Sequence, residues 1–205
     1  MTRYDLLIPT IPHRHEVLCA LLAELDRQML PGAGVIVWRD NLEHSYGDKC
    51  QGLLEASDAD YVAFMDDDDW PAEDYLALVL GALEGGPDYV GWPEMYTVDG
   101  GHGRIIVHSL HDRSAEYPGV QAGLVAHKNP IRREMALLGR WEGGWGADTR
   151  WADQVIATGQ VKTEAWIGKP VYHYRWRSHD EFRTPRAPVS GPLPELPAYD
   201  WLRVL

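Results

Sequence analysis

The stretch from Tyr61 to Trp70, YVAFMDDDDW, most constrains how this chain can fold. Five apolar residues run without alternation and end in four consecutive aspartates. A short continuous apolar run with aromatic and β-branched residues is typical of a strand buried on both faces in a mostly parallel sheet. Pro71 can open a helix at its first turn. The pattern therefore predicts that Asp66 to Asp69 lie at the carboxyl end of a strand, where open α/β sheets bind ligands.

Four adjacent carboxylates repel one another. A like-charged pair about 4 Å apart costs roughly 1 kcal/mol in water and about 4 kcal/mol at an effective dielectric constant near 20. A hard divalent cation such as Mg²⁺ or Mn²⁺ removes that cost and prefers carboxylate oxygens. If the chain stays extended, Asp66 and Asp68 project to one side, and Asp67 and Asp69 to the other. The alternative is a solvated acidic turn in which Asp69 or Trp70 caps the next helix, but a cap needs only one acid.

Two further strand-like runs precede the acidic stretch, at residues 4–9 and 34–38. Each of the three runs is followed by apolar residues at the 3–4 spacing of a helical stripe. Three such units in about eighty residues predict βαβ crossovers and a parallel sheet that delivers three polar loops to one edge. The stripes are Leu18, Leu21, Leu22, Leu25 and Met29, then Cys50, Leu53, Leu54 and Ser57, then Leu76, Val79, Leu80 and Leu83.

The pattern changes after Gly86. Residues 88–92 predict a strand, and residues 96–110 predict a hairpin that turns at Asp99-Gly100-Gly101. A helix is predicted from Asn129 to Gly139, a second one from about residue 148 after the loop 143–146, and a late strand over 171–176. Prolines recur from residue 184, which predicts an extended tail.

Composition narrows the class of protein. The chain has 205 residues, 45% of them hydrophobic, so we expect one globular domain with an ample core. The net charge of −12 argues against an extended contact with a phosphate backbone. No stretch approaches the roughly 20 apolar residues of a membrane span, and the start does not read as a signal peptide. Cys19 and Cys50 fall on apolar helix faces as core thiols, which suits a reducing cytoplasm, where we expect the protein.

Five motifs follow one another along the chain. They are Pro9-Thr10-x-x-x-Arg14, a strand ending at Asp40, Gly47-x-Lys49 leading to the Asp-rich stretch, Trp145-Gly-Ala-Asp148 before a helix, and His173-Tyr-Arg175. In this order they resemble the motifs of GT-A-type glycosyltransferases, and most closely those of the family-two nucleotide-diphospho-sugar transferases. The likeness covers residues 4–177 and implies an α/β GT-A fold, with a mostly parallel central sheet flanked by helices and a small antiparallel hairpin region. It also implies a single catalytic domain over 1–183, divided into a nucleotide-binding half (1–86) and an acceptor half (87–183), before a Pro-rich tail (184–205).

The resemblance implies a site for a nucleotide-diphosphate sugar. Asp66 and Asp68 would hold Mn²⁺ or Mg²⁺ on the donor diphosphate, with Asp67 and Asp69 as helpers. A divalent cation there neutralises the leaving nucleoside diphosphate. His173 would add a nitrogen ligand, with an ordinary core or surface histidine as the alternative.

The remaining donor contacts follow from the same resemblance. Pro9 and Thr10 belong to the donor loop. Arg14 and Lys49 would contact phosphate or base, and the alternative for each is an ordinary surface cation. Asp40 would bind the base or ribose, and its alternative is a turn-forming aspartate beside Asn41.

Asp148 is the candidate general base. An acceptor hydroxyl is a poor nucleophile and needs a carboxylate within hydrogen-bond distance. The family often shows Glu-Asp here, whereas this chain has Ala147-Asp148, so one carboxylate is available. Asp153 is a fallback inside the helix, and an N-cap role for Asp148 is the alternative. A tryptophan group is expected in the acceptor wall, with core packing as the default: Trp141, Trp145 and Trp151.

These residues predict metal-dependent transfer of a sugar from a nucleotide-diphosphate sugar to an acceptor hydroxyl. Inversion at the anomeric carbon is implied by the resemblance alone. The acceptor class stays open between a glycan, a protein, a lipid and a modified nucleic-acid base. One rival is a non-catalytic sugar- or metal-binding module. A second is a phosphatase of the haloacid dehalogenase type, whose Asp-x-Asp motif lies on the first strand, whereas the motif here follows the third.

Overall fold

The structure is a computed structural model, and it describes residues 1–101, 103–118, 120–123, 125–177 and 188–205. Residues 184–187, where the predicted Pro-rich tail begins, lie outside the described residues. None of the helices within these ranges is long and apolar enough to cross a membrane.

Three parallel strands form the first part of the sheet, as predicted. Strand β1 (Tyr4–Pro9) lies between β2 (Ala33–Trp38) and β3 (Tyr61–Phe64), and helices α1 (His15–Gln28) and α2 (Tyr46–Ala56) make the crossovers. The parallel register places the loops after all three strands at one edge. The strand-to-helix order thus builds the polar edge that the sequence predicted.

Both faces of this sheet are covered, which explains the unbroken apolar runs. Leu6 and Ile8 belong to one buried cluster with the stripe of α1, whereas Leu7 packs in a second cluster with α2. All three strand side chains are fully buried. Successive residues point to opposite faces of a strand, so a strand between two helical layers needs apolar residues at every position.

The acidic stretch folds differently from the prediction. The chain turns at Asp66, whose carbonyl accepts a hydrogen bond from the Asp69 amide (3.1 Å), and so does not stay extended. Trp70 and Pro71 then form a short strand β4 (Trp70–Pro71), and helix α3 begins only at Tyr75 (Tyr75–Leu83). The prediction that Pro71 opens the helix is wrong. A proline is tolerated here because β4 is the last strand of the sheet.

The second half completes a mixed sheet. Its elements are β5 (Tyr89–Val98), β6 (Arg104–His108), β7 (Gln121–Gly123), β8 (Ile131–Arg132), α4 (Arg133–Ala136), α5 (Ala147–Ala157), β9 (Glu164–Trp166), β10 (Tyr172–Trp176) and β11 (Leu202–Val204). Neighbouring strands of the sheet follow the order β11-β2-β1-β3-β8-β5-β10-β4. The predicted hairpin is confirmed, although its first strand is longer than expected and forms one continuous strand with the run predicted at 88–92.

One element contradicts its predicted boundaries. The helix predicted over 129–139 is instead the two-residue strand β8 followed by one helical turn, because Ile131 pairs antiparallel with Val62 and the side-chain amide of Asn129 donates to the Val90 carbonyl (2.9 Å). At the end of the predicted tail, strand β11 pairs in parallel with β2 at the far edge of the sheet.

Candidate active site

A cleft of about 260 Å³ lies where β1, β2 and β3 end. Its walls come from the loop after β1, from the β2–α2 connection with the first turns of α2, and from the acidic turn. It therefore unites most residues predicted for the donor site. The lining residues are Pro9, Thr10, Ile11, Arg14, Leu42, His44, Ser45, Tyr46, Lys49, Asp66 and Asp67.

Lys49 is a buried anchor of this cleft and not the surface cation of the alternative interpretation. Its ammonium lies 2.5 Å from the Asp40 carboxylate and donates to the Thr10 carbonyl (2.8 Å). Asp40 also accepts hydrogen bonds from the amides of Leu42 and His44. Burial alone would raise the pKa of Asp40, but Lys49 and His44 lower it below its ordinary value. Asp40 thus forms the turn, and its contact with a base or ribose stays a prediction.

Arg14 likewise lies against the acidic turn and not on the open surface. Its guanidinium is 2.7 Å from the Asp67 carboxylate and 3.2 Å from that of Asp68. The Thr10 hydroxyl donates to the other oxygen of Asp67 (2.5 Å). Asp67 is fully buried and both of its carboxylate oxygens have partners, so its side chain holds Arg14 and Thr10 in place at the wall of the cleft.

The fourth acid, Asp69, is also fully buried and is held by β10. The Tyr172 hydroxyl donates to its carboxylate (2.6 Å), as does the Arg175 amide (2.8 Å). The Arg175 side chain donates to the carbonyls of Asp68 and Asp69. The late strand therefore clamps the acidic turn, and part of the charge of the four acids is balanced within the protein.

Asp66 and Asp68 are the two acids of the turn whose side chains are partly exposed, and Asp66 lines the cleft. The Tyr46 hydroxyl donates to Asp66 (3.2 Å), and the Asp68 carboxylate is 18% exposed. Burial raises the pKa of Asp68 to about 6, although Arg14 acts in the opposite direction. These two carboxylates are the ones placed to meet a positively charged ligand.

His173 is not brought to that pair. Its Nε2 lies 2.8 Å from the Thr97 hydroxyl, and the residue pairs with Trp70 across the strands. Among the described residues, no three histidine, cysteine, aspartate or glutamate side chains converge to hold a metal ion. A cation here would need oxygens from a bound ligand in addition to Asp66 and Asp68.

Asp148 lies on the first turn of α5, with 43% of its side chain exposed. The N-cap of this helix is Gly146, in the left-handed conformation (φ 74°), so the alternative that Asp148 is the cap is wrong. The backbone amide of Gly47, on the first turn of α2, donates to the carbonyl of Gly143 (2.8 Å), which lies in the loop before α5. This contact joins the wall of the cleft to the loop that carries Asp148.

The tryptophan group divides into core and surface. Trp141 and Trp151 are buried and stacked, with ring centroids 5.2 Å apart, and both pack in the cluster that contains α2. Trp145 is 91% exposed. Core packing is therefore correct for two of the three, and Trp145 alone keeps an aromatic face free beside Asp148.

Sequence reasoning missed a group of buried polar residues behind the acidic turn. His127 lies 3.9 Å from Asp148, and the Lys128 ammonium lies 3.1 Å from Glu94 and 3.7 Å from the centre of the Tyr174 ring. The signal in the sequence was weak, because these residues are scattered over two strands and a loop. A lysine beside Asn129-Pro130 is expected at the surface, and only the position of β8 in the sheet explains its burial.

Comparisons with known proteins agree with this architecture. A family model described as Glycosyl transferase family 2 matches residues 28–137, more than half of the chain. No curated protein matches the sequence significantly.

Solved structures show the same fold at low identity. TarS from S. aureus is 14% identical, with a TM-score of 0.65 over 85% of this chain and 37% of that one. TarS in complex with UDP-GlcNAc is 14% identical, with a TM-score of 0.68 over 89% of this chain and 61% of that one. A third structure is glucosyl-3-phosphoglycerate synthase from Mycobacterium tuberculosis in complex with Mn²⁺, UDP and phosphoglyceric acid. It is 15% identical, with a TM-score of 0.58 over 88% of this chain and 73% of that one. The chain spans less than two thirds of the TarS structures. It has the GT-A fold and belongs to glycosyl transferase family 2.

Proposed function

We propose that this chain is a metal-dependent glycosyltransferase that moves a sugar from a uridine-diphosphate sugar to an acceptor hydroxyl, with inversion. The observation that carries the proposal is the cleft at the ends of β1, β2 and β3, which Arg14, Lys49 and Asp66 line. The pKa of Tyr46, which also lines the cleft, is raised by burial and by the charges of both Asp66 and Asp148, so both acids lie near this tyrosine. Family membership and the UDP in the related structures support the donor class.

The donor would bind with its nucleoside in the cleft and its diphosphate at the acidic turn. Arg14 and Lys49 are held by Asp67 and Asp40, so they are positioned before the ligand arrives. A guanidinium fixed in this way keeps donors available for phosphate oxygens. The halves assigned to nucleotide (1–86) and acceptor (87–183), and a cytoplasmic location, remain part of the proposal.

The two open carboxylates fit Mn²⁺ or Mg²⁺ that binds together with the donor. Magnesium in proteins is usually held by one or two carboxylates plus substrate phosphates, which is the donor set that Asp66 and Asp68 offer. When bound, the cation would neutralise the charge of the departing diphosphate. The side-chain contact of His173 with Thr97 does not support it as a further ligand.

Asp148 would act as the general base. Its carboxylate takes the proton of the acceptor hydroxyl while that oxygen bonds to the anomeric carbon and the bond to the UDP oxygen breaks. One displacement of this kind inverts the anomeric centre.

The test is a matched pair of variants on α5. Wild type is first screened with UDP-sugars, with and without Mn²⁺, for UDP release in the presence of sugar and lipid acceptors. We expect Asp148→Asn to lower turnover about 10²- to 10⁴-fold while UDP affinity changes little. Asp153→Asn removes an exposed carboxylate from the same helix and should leave turnover unchanged. A wild type that binds UDP with Mn²⁺ but turns over no donor would support the rival binding module instead.

A further inference from the structure

His127 is a buried histidine between the acidic turn and the candidate base. It lies in the turn before β8, and its carbonyl accepts a hydrogen bond from the Phe64 amide (2.8 Å), which fixes its backbone to the end of β3. Its Nδ1 is 3.9 Å from the Asp148 carboxylate. Its ring meets Trp141 edge to face, with centroids 5.8 Å apart. His127 therefore contacts both the strand that leads to Asp66 and the candidate base.

The second nitrogen of this ring has no partner. Nε2 is buried and receives no hydrogen bond from any group in the part of the chain that the structure describes. Leaving a buried polar atom unpaired is costly, and such atoms in native proteins call for an explanation. Burial lowers the pKa of His127, although Asp66 and Asp148 both act to raise it. A neutral imidazole has one donor and one acceptor nitrogen, so Nε2 can pair with a hydroxyl in either tautomer.

The geometry of the proposed displacement indicates which part of the donor lies next to His127. In the proposed function, the anomeric carbon must lie between the diphosphate at Asp66 and the acceptor oxygen at Asp148. His127 is close to both carboxylates. A group at this place meets the transferred sugar, whereas the nucleoside lies in the cleft beyond Tyr46.

We propose that His127 determines specificity for the donor sugar, with Nε2 hydrogen bonded to a hydroxyl of the transferred sugar and Nδ1 facing Asp148. The inference rests on the proposed function. It adds a contact to the sugar ring itself, which neither the acidic turn nor the nucleotide cleft supplies.

Three substitutions separate the two ring nitrogens. His127→Gln keeps a polar group near the position of Nε2, His127→Asn keeps one near Nδ1, and His127→Phe keeps the ring shape without either. Affinities for UDP, UDP-GlcNAc and UDP-glucose are measured with Mn²⁺ by calorimetry, so that the readout does not depend on turnover. UDP serves as the control ligand because it lacks the sugar.

We expect His127→Phe and His127→Asn to bind the better UDP-sugar about three- to tenfold more weakly, the loss of one hydrogen bond to a hydroxyl. Their UDP affinity should stay within about twofold of wild type, and His127→Gln should recover most of the loss. A purely structural role would weaken UDP and UDP-sugar alike and would overturn the inference. So would full recovery by Asn but not Gln, since that pattern assigns the contact to Nδ1. Failure of wild type to bind UDP would instead refute the proposed function.

Discussion

The buried pair of Lys128 and Glu94 gives the sharpest quantitative prediction. Both side chains are less than 10% exposed, and the ammonium lies 3.1 Å from the carboxylate. Burial alone would raise the pKa of Glu94, but Lys128 and His108 lower it below its ordinary value. Lys128 has a further partner in the ring of Tyr174, 3.7 Å from its nitrogen. The buried Lys128 therefore keeps a partner when Glu94 is changed, whereas the buried Glu94 depends more strongly on Lys128.

Lys128→Met should be the more damaging single change. It leaves Glu94 buried with only His108 nearby, at 3.8 Å. Breaking a buried pair from one side costs about 3–5 kcal/mol of stability. Glu94→Gln leaves Lys128 with Tyr174, and the charge of Asp69 still acts on the ammonium. We therefore expect a smaller loss of about 1–3 kcal/mol. The double variant should recover about 1–3 kcal/mol relative to the sum of the single losses.

The pH dependence distinguishes this explanation from simple loss of packing. In wild type the depressed pKa of Glu94 contributes stability above its ordinary value of 4.5, and that contribution is lost as the pH falls below it. In Lys128→Met the same carboxyl is buried without its partner, so its pKa rises above 4.5 and stability falls as the pH rises. Adding Glu94→Gln should remove that fall.

The assay is urea unfolding followed by tryptophan fluorescence at pH 5 and pH 8. The free energy of unfolding is obtained for wild type, both single variants and the double variant. The reasoning fails if Lys128→Met costs less than about 1 kcal/mol at pH 8, or if its loss is the same at both pH values. Equal losses for the two single variants would contradict the role assigned to Tyr174.

Two further changes test the acidic turn and the joint between the loops. Because burial raises the pKa of Asp68 to about 6, the folded state loses stability as pH rises from about 4 to about 6, and Asp68→Asn should raise the free energy of unfolding at pH 7 by about 1–3 kcal/mol. Urea titration measures this, and a less stable variant at pH 7 would contradict it. A Cβ at Gly47 would lie 2.5 Å from the Gly143 carbonyl oxygen, so Gly47→Ala should cost about 1–3 kcal/mol in thermal unfolding. The control Gly81→Ala lies inside a helix with open space and should be stabilising by about 0.5–1 kcal/mol.

The first half of the fold was predictable because its signals are local. Strand β1 is predicted residue for residue, and β2 and β3 to within one residue, since each buried strand is a short apolar run. The stripes of α1 and α2 repeat at helical spacing and end in the core. Right-handed crossovers then place the strand ends together. The edge that carries the cleft follows from the sequence without further information.

The second half depends on partners that are far away in the chain. Ile131 is part of a strand only because Val62 and Tyr89 lie on either side of it. Pro71 pairs with Tyr172, about one hundred residues later. Local patterns cannot show such pairings, so a proline before an apolar stripe was interpreted as a helix start. The same limit hid Lys128, whose burial follows from β8 and not from its neighbours in sequence.

The structure also changes the electrostatic reason for expecting a cation. Four adjacent acids are not left unbalanced, since Arg14 pairs with Asp67 and Asp68, and Lys128 acts on Asp69. These two cations offset part of the charge of the four acids, and the partly exposed carboxylates of the turn are those of Asp66 and Asp68. A site with two carboxylate ligands and two protein cations close by holds a divalent cation weakly by itself. Diphosphate oxygens supply the missing ligands and charge. The donor and the cation are therefore expected to bind as one unit, with the protein cations already in place.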